Sequence, residues 1–361
     1  MATGAVGHDP THTRKPCDAT NPSRPVRPGR GLVMVASSPI VGAGRSTGVG
    51  AVDPVAVGAG HAKAILIGEH SVVYGHPAIA LPLLPLRTVA RLRAVPGPLS
   101  ARHGDRRLPV ADLPERFAPV GAAVTAALAH FGLPGDDLEI ELDSDIPPGA
   151  GLGASAASAH AIVEAVRAHA DRELDEEARF ELVQTAERVA HGNPSGLDAR
   201  ATRARTPVAF NDGVTSRLEL GASFSFAVAD TGVRSPTRDA VAGVRSLVEA
   251  DPDHGRELLE RLAELTRTAA EDLRDGRIGD LGARLHAAQD TLDALGVGHP
   301  AIDRLVAAAR AAGAAGAKLT GAGRGGCVIA VTDSPERAAE IVTAMRQAGA
   351  VGGWIVTAGG R

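Results

Sequence analysis

Hydrophobic and polar positions along the chain show no pattern until about residue 60 and a clear one after it. Residues 1–57 are rich in Gly, Pro, Ser, Thr and Arg and carry neither a helical nor a strand repeat. They are expected to be a disordered extension, or translated sequence upstream of the true start with Met34 as an alternative initiator. Ordered sequence is expected from about His61, where AKAILIGEHSVVYGHPAIALPL reads as a strand, a turn and a further apolar segment without a helical period. The spacing then predicts a helix over 120–133 and a half-buried strand in which Leu138, Ile140 and Leu142 alternate with polar residues. An Ala-rich helix over 155–170 follows, and another over 179–190 ends in the turn HGNPSG. SFSFAVAD (223–230) reads as a strand opening a second block. Helices are predicted there at 238–249, 255–275, 277–295, 299–312 and 334–348, with strands at 327–331 and 354–358. Strands and helices mixed without strict βαβ alternation predict an α+β protein of two lobes, 58–218 and 219–361.

Composition narrows the function. A chain of 361 residues, 44% hydrophobic, has the length of two domains and enough apolar sequence for a large core. A net charge of −4 and an aromatic content of 2% argue against nucleic-acid binding, which needs a basic footprint or rings for stacking. No apolar run approaches the ~20 residues of a membrane span. GLVMVASSPIVGAG, behind several arginines, has a faint signal-peptide look, but its apolar core is short and broken by Ser37, Ser38 and Pro39. Cys17 and Cys327 are too few for a disulfide framework or a zinc site, so a reducing cytoplasm is expected. Of 38 basic residues only three, Lys15, Lys63 and Lys318, are lysines. In so Arg-biased a chain, a retained lysine marks a place where a compact ammonium is wanted.

Three segments carry chemistry. PPGAGLGAS (147–155) lies between a strand and a helix, where glycines let backbone N–H groups turn inward and the helix N-terminus faces an anion. The dinucleotide-binding reading fails because no strand ending in an acidic residue follows at the right distance, and no Gly-Lys-Ser/Thr of a Walker A loop is present. KLTGAGRGGC (318–327) is a second glycine-rich turn, and HAKAILIGEHSVVYG brings Lys63, Glu69, His70 and Ser71 together. Each segment alone has an ordinary structural reading. In this order they resemble the three motifs of the GHMP kinase superfamily and, within it, the mevalonate kinase family, particularly its bacterial forms. ERVAHGNPSGLDA (187–199) resembles that family's catalytic segment, and DTGVRSPTR (230–238) and LGVGHPAID (295–303) extend the likeness from about residue 60 to the C-terminus.

The resemblance implies an N-terminal α/β ATP-binding lobe, a ferredoxin-like C-terminal lobe and transfer of a phosphoryl group from ATP to the C5 hydroxyl of (R)-mevalonate. Such catalysis is mostly positioning and charge stabilisation. By resemblance Asp198 is the general base and Lys63 stands beside it to stabilise developing charge, with a fixed structural ion pair as the bland reading. Glu187 and Ser155 are implied as Mg2+ ligands, although Ser155 also reads as a helix N-cap. ATP is expected on Ser144, Pro148, Gly149, Ala150, Gly151, Leu152, Gly153, Ala154 and Ser155, and mevalonate on Glu69, His70, Ser71 and Thr237. Ala154 departs from the family pattern, in which a second serine is common, and His61-Ala62 replaces the Pro-Gly of animal relatives. The partner of the substrate carboxylate is not legible. Arg324 reads equally as facing phosphate or solvent, and Lys318 as capping its loop or meeting solvent. Cys327 reads as a small buried hydrophobe, and His191 and His299 as surface or packing residues. The implied partners are small molecules, with no nucleic acid or membrane; dimerisation is common in the family, but no interface is visible in the sequence. The rivals are phosphomevalonate kinase or another small-alcohol kinase, and a non-catalytic binding protein of the same fold. The segment carrying Glu187 and Asp198 disfavours the first, and competent residues at the base, lysine and metal-ligand positions disfavour the second.

Overall fold

A long strand that changes partners along its length organises the first lobe. In the computed structural model, which describes Met1 and residues 55–359 apart from Gly104 and Asn193, β1 (Ala56–Ile67) runs antiparallel to β2 (Ala78–Ala94). The first six residues of β2 are all buried, matching their unbroken apolar run, whereas Leu86, Thr88, Ala90 and Leu92 alternate with more exposed neighbours. The chain continues through β3 (Ser100–His103), β4 (Arg106–Pro109), α1 (Ala118–Phe131) and β5 (Leu138–Ser144). Three helices follow, α2 (Ala154–Ala170), α3 (Glu176–His191) and the short α4 (Leu197–Ala201), before the hairpin of β6 (Val208–Asn211) and β7 (Val214–Arg217). The sheet runs β4-β3-β5-β2-β6-β7, with β1 also paired to β2. β5 pairs with Thr88–Ala94 and β6 with Ala78–Ala80, so β2 joins the two halves of the sheet. Asp175 caps α3 by accepting from Ala178 N–H at 2.8 Å, and Glu176 and Glu177 complement the helix dipole in its first turn.

The second lobe begins with β8 (Phe224–Asp230), every residue of which is buried. Helices α5 (Thr237–Ala250), α6 (Pro252–Asp275), α7 (Ile278–Ala294) and α8 (Pro300–Ala311) lead to β9 (Gly316–Thr320). β10 (Cys327–Thr332), α9 (Pro335–Gln347) and β11 (Gly352–Ala358) complete it. The sheet order is β11-β8-β10-β9, antiparallel throughout. With α8 before β9 and α9 between β10 and β11, this is a ferredoxin-like arrangement carrying α5 to α7 as an insertion. One apolar core runs through both lobes, joining Leu66, Ile79 and Leu81 to Phe224, Leu262, Leu285 and Val328.

The extension expected over 1–57 lies, for residues 2–54, outside the described residues, and Lys15, Cys17 and Met34 lie there with it. β1 begins at Ala56, five residues before the expected entry at His61. Its opening escapes notice because Gly58 and Gly60 stand where strand-forming side chains would be. A Cβ on Gly58 would lie 2.1 Å from Ala161 O, and one on Gly60 would lie 2.1 Å from Ala157 O. These glycines let α2 sit directly on β1, against the small residues Ala157 and Ala161. The predicted helices are present, but α6 starts at Pro252, because Asp251 accepts from His254 N–H at 3.2 Å. The segment GAKLT, of which only the last three residues read as part of the second glycine-rich turn, is the strand β9, and all five of its residues are buried, which erases alternation. The four-residue strands β3, β4, β6 and β7 are too short to show a repeat. Among the described residues no helix is long and apolar enough to cross a membrane.

Gly60→Ala tests the close approach of β1 and α2. Overpacking there is expected to cost about 1–3 kcal/mol of stability, read as a lower midpoint in urea unfolding; an unchanged midpoint would mean that the two backbones are not in contact.

Candidate active site

The loop between β5 and α2 alternates left-handed glycines, with φ of 68° at Gly149, 78° at Gly151 and 72° at Gly153. Such alternation turns successive N–H groups toward one concavity, and α2 then directs its N-terminus at the same place. Gly153, not Ser155, is the N-cap residue of α2; Ser155 is the second helical residue, and its hydroxyl makes no capping bond. Two bonds tie the loop to β1: Lys63 N–H donates to Leu152 O at 3.0 Å, and Lys63 Nζ donates to Gly151 O at 3.3 Å. The glycine loop after β9 crosses it closely, since a Cβ added to Gly321 would lie 3.2 Å from Gly151 Cα.

These loops wall a cavity of about 510 Å³. Lys63, Glu69, His70, Gly149 to Ser155, Glu187, Asp198 and Thr237 all line it, so most of the residues singled out in the sequence share one space. Three do not. Ser71 is fully buried and donates its hydroxyl to Gly68 O at 3.3 Å, holding the turn after β1. Ser144 shares a hydrogen bond with Thr88 Oγ1 at 2.8 Å and accepts from Ile146 N–H at 3.2 Å, so its hydroxyl fixes the end of β5. Pro148 is exposed and off the lining.

Lys63 Nζ lies 2.9 Å from Asp198 Oδ1, with Lys63 buried and Asp198 a third exposed. Asp198 sits in the first turn of α4, where a carboxylate is favoured by the helix dipole. Where an ammonium stands beside a carboxylate that opens on a cavity, the ammonium can polarise a bound hydroxyl and the carboxylate can receive its proton. Glu187 stands behind them, on α3. Burial, with Asp198 nearby, pushes its carboxyl up to about 7, against the opposing pull of Ser155 and Lys63. Ser155 Oγ is near enough to Glu187 to favour its charged form, yet neither Ser155 Oγ nor Glu187 Oε1 completes a well-formed hydrogen bond. Two such hard oxygens suit a divalent cation, and no cluster of three or more His, Cys, Asp or Glu able to hold a metal occurs among the described residues. A cation here would therefore complete its coordination with phosphate oxygens and water, as magnesium commonly does.

The cavity's far wall joins the lobes. Glu69 and Lys318, both fully buried, form an ion pair between the turn after β1 and strand β9. Burial drives the Glu69 carboxyl up and the Lys318 ammonium down, while each partner opposes the shift of the other. Thr320 Oγ1 donates to Ile65 O at 2.8 Å, and His70 Nε2 lies 2.9 Å from Ala322 O. Burial lowers the His70 pKa to about 4, so the ring is neutral and Nε2–H is the donor. His70 holds this position with φ of 62°, a left-handed conformation unusual for a side-chain-bearing residue.

Several open readings close. Lys318 neither caps its loop from outside nor meets solvent. Arg324 is half-buried and off the cavity lining; its guanidinium lies at the surface and donates to Gly296 O at 3.3 Å and Asp239 O at 3.4 Å. Cys327 is fully buried with its thiol pKa pushed up, as a small core residue. His299 caps α8, accepting from Ala301 N–H at 3.1 Å. His191 lines the cavity, its Nε2 3.8 Å from Glu187 Oε2, and burial lowers its pKa. Gln184, Arg238 and Arg245 also line the cavity and were not singled out in the sequence. The signals were there: Gln184 lies three residues before Glu187 on α3, and Thr237, Val241 and Arg245 recur every fourth residue on one face of α5.

Models of known families match both lobes: GHMP kinases N terminal domain over residues 119–202 and GHMP kinases C terminal over 269–351. The mevalonate kinase of Pyrococcus furiosus is 33% identical over 311 residues, covering 80% of this chain and 92% of that protein. That of Aeropyrum pernix is 34% identical over 284 residues, covering 74% and 85%. The chain belongs to the mevalonate kinase family of GHMP kinases. Among solved structures, L. major mevalonate kinase in complex with R-mevalonate superposes with a TM-score of 0.73 at 25% identity, covering 85% of this chain and 97% of that one. The enzyme from Staphylococcus aureus MRSA252 gives 0.64 at 29% identity, covering 85% and 99%. The family's two-lobed fold therefore extends over the whole described body of this member.

Two outcomes are expected for this family member. Lys318→Met leaves Glu69 buried without its partner and should cost about 3–5 kcal/mol, whereas Lys318→Met with Glu69→Gln should recover most of the loss; chemical unfolding of the three variants measures both. Glu187 keeps its proton in the folded chain above 4.5, where the unfolded chain releases it. Its contribution to stability therefore declines as pH rises from about 4.5 to about 7. A divalent ion must displace that proton, so the rise in Tm given by MgATP should grow between pH 6 and pH 8 in the wild type and stay flat in Glu187→Gln.

Proposed function

We propose that this chain transfers the γ-phosphoryl group of ATP to the C5 hydroxyl of (R)-mevalonate, giving 5-phosphomevalonate, with Mg2+ as the divalent ion. The observation that carries this reading is the Lys63–Asp198 pair at 2.9 Å, opening on the cavity that the glycine loop also walls. ATP lies with its phosphates on the N–H groups of the Gly149–Ser155 loop and on the N-terminus of α2. Asp198 accepts the hydroxyl proton, and Lys63 stabilises negative charge on the reacting oxygens while holding Asp198 in place. When bound, the metal neutralises phosphate charge, and Glu187 and Ser155 would hold it. Substrate hydroxyls meet the turn that carries Glu69 and His70, with Thr237 opposite. Arg238 and Arg245 bring the positive charge that a substrate carboxylate needs to this wall of the cavity. Both substrates are charged and water-borne, which supports a cytoplasmic reaction.

A panel of alcohols with MgATP tests the assignment, with ADP release as the readout. Mevalonate should be turned over, and Asp198→Asn should lower kcat by about 10²–10⁴-fold while leaving ATP affinity nearly unchanged. Turnover of phosphomevalonate or galactose, with none on mevalonate, would overturn the substrate assignment.

A further inference from the structure

LGVGHPAID (295–303) and Arg324, the one charged residue within the turn GAGRGG, take no part in the chemistry described so far. In the structure they meet. Arg324 N–H donates to Val297 O at 2.7 Å and Arg324 Nε to Gly296 O at 3.3 Å, which binds the glycine loop after β9 to the connection between α7 and α8. The same guanidinium continues through Nη1 to Asp239 O at 3.4 Å, in the first turn of α5. One turn further along α5 it lies against Gly243, where an added Cβ would stand 2.3 Å from Nη2. One side chain therefore joins three elements. Its backbone has a φ of 55°, a left-handed conformation that glycine adopts freely and that an arginine holds only when its surroundings impose it. Gly243, unfavourable inside a helix, leaves the space that the guanidinium fills.

Helix α5 needs such support. Of its 14 residues only Ala240 and Val244 are buried, its main packing partner is α6, and Pro236 at its N-cap supplies no side-chain bond. Yet Thr237, Arg238, Val241, Ala242 and Arg245 all line the cavity, so the position of α5 sets the position of a whole wall. Asp239 and Gly243, four residues apart, form the face that Arg324 grips. The loop that carries Arg324 reaches the cavity from its other end: Ala322 O accepts from His70 Nε2 at 2.9 Å, and a Cβ on Gly321 would lie 3.2 Å from Gly151 Cα. Arg324 thus fixes α5 relative to the same loop that seats His70 and crosses the phosphate cradle.

We propose that Arg324 is a positioning residue for the acceptor substrate, latching α5 to the third glycine motif so that Thr237, Arg238 and Arg245 stand at a fixed distance from His70. It acts through α5 and touches no substrate itself, and its effect on turnover rests on the reading of this cavity as the mevalonate site. Glycine suits the φ of Arg324, so Arg324→Gly removes the guanidinium and leaves the loop its path. In the full chain with saturating MgATP this variant should raise KM for mevalonate about tenfold, with kcat and the KM for ATP each changed by less than about threefold, the pattern of weakened acceptor binding. Without any substrate, amide hydrogen exchange along 237–245 should be about tenfold faster than in the wild type. Gly243→Ala, a substitution that favours the helix, pushes the guanidinium off its carbonyls and should raise KM by itself; combined with Arg324→Gly, the alanine meets empty space and should add nothing. Should Arg324→Gly fold poorly, Gly243→Ala decides by its KM. Unchanged exchange in folded Arg324→Gly overturns the latch whatever the acceptor proves to be, while faster exchange in a protein inert toward mevalonate supports the latch and overturns the substrate reading. Unchanged KM despite faster exchange, a fall in kcat without a rise in KM, or additive effects of the two substitutions would each overturn the positioning role.

Discussion

One buried ammonium holds the first lobe's chemistry in register. Lys63 projects from β1, is 3% exposed, and reaches both Gly151 O in the glycine loop and Asp198 Oδ1 on α4, while its backbone N–H fixes Leu152 O. A charge so far from water persists only with close partners, and removing any of them leaves it uncompensated. The strand, the loop and the short helix are therefore not independent. A shift in one moves the ammonium away from the carboxylate or from the loop, and the phosphate cradle and the candidate base change position together.

The second lobe enters through the same kind of contact. Lys318 on β9 pairs with Glu69 beyond the end of β1, and Thr320 and His70 add bonds across the same seam. Small residues make the seam tight. Gly151 and Gly321 let two loops from different lobes touch backbone to backbone, and Gly58 and Gly60 let α2 lie against β1. The glycine and alanine that fill this sequence set the distances at which charged side chains meet, as well as the conformations of turns.

Chemistry was easier to read from the sequence than geometry. Lys63, Glu187 and Asp198 stand out because the segments that carry them resemble a family's motifs, the glycine loop because its spacing is that of an anion cradle, and the long helices because amphipathic periodicity survives over several turns. Side-chain direction is less legible. Ser71 and Ser144 lie within or beside the motifs, yet both hydroxyls are used in local turns. Arg245 and Gln184 reach the cavity from helices whose sequence reads as ordinary amphipathic surface. Lys318 looked like a loop residue because β9 is buried throughout, and a strand without an exposed face has no alternation to betray it. The scarcity of lysine was informative: both lysines among the described residues are buried and paired with carboxylates.

The central claim is that Lys63 acts through the compact geometry of its ammonium and not through charge alone. The most direct test is kcat of Lys63→Arg, with the fold verified by circular dichroism and ATP binding. A guanidinium keeps the charge but is bulkier, planar and aimed differently. Turnover should fall by about 10²-fold or more, as expected when a reacting group is displaced by about an ångström. Near-normal turnover in a folded, ATP-binding variant would contradict the account.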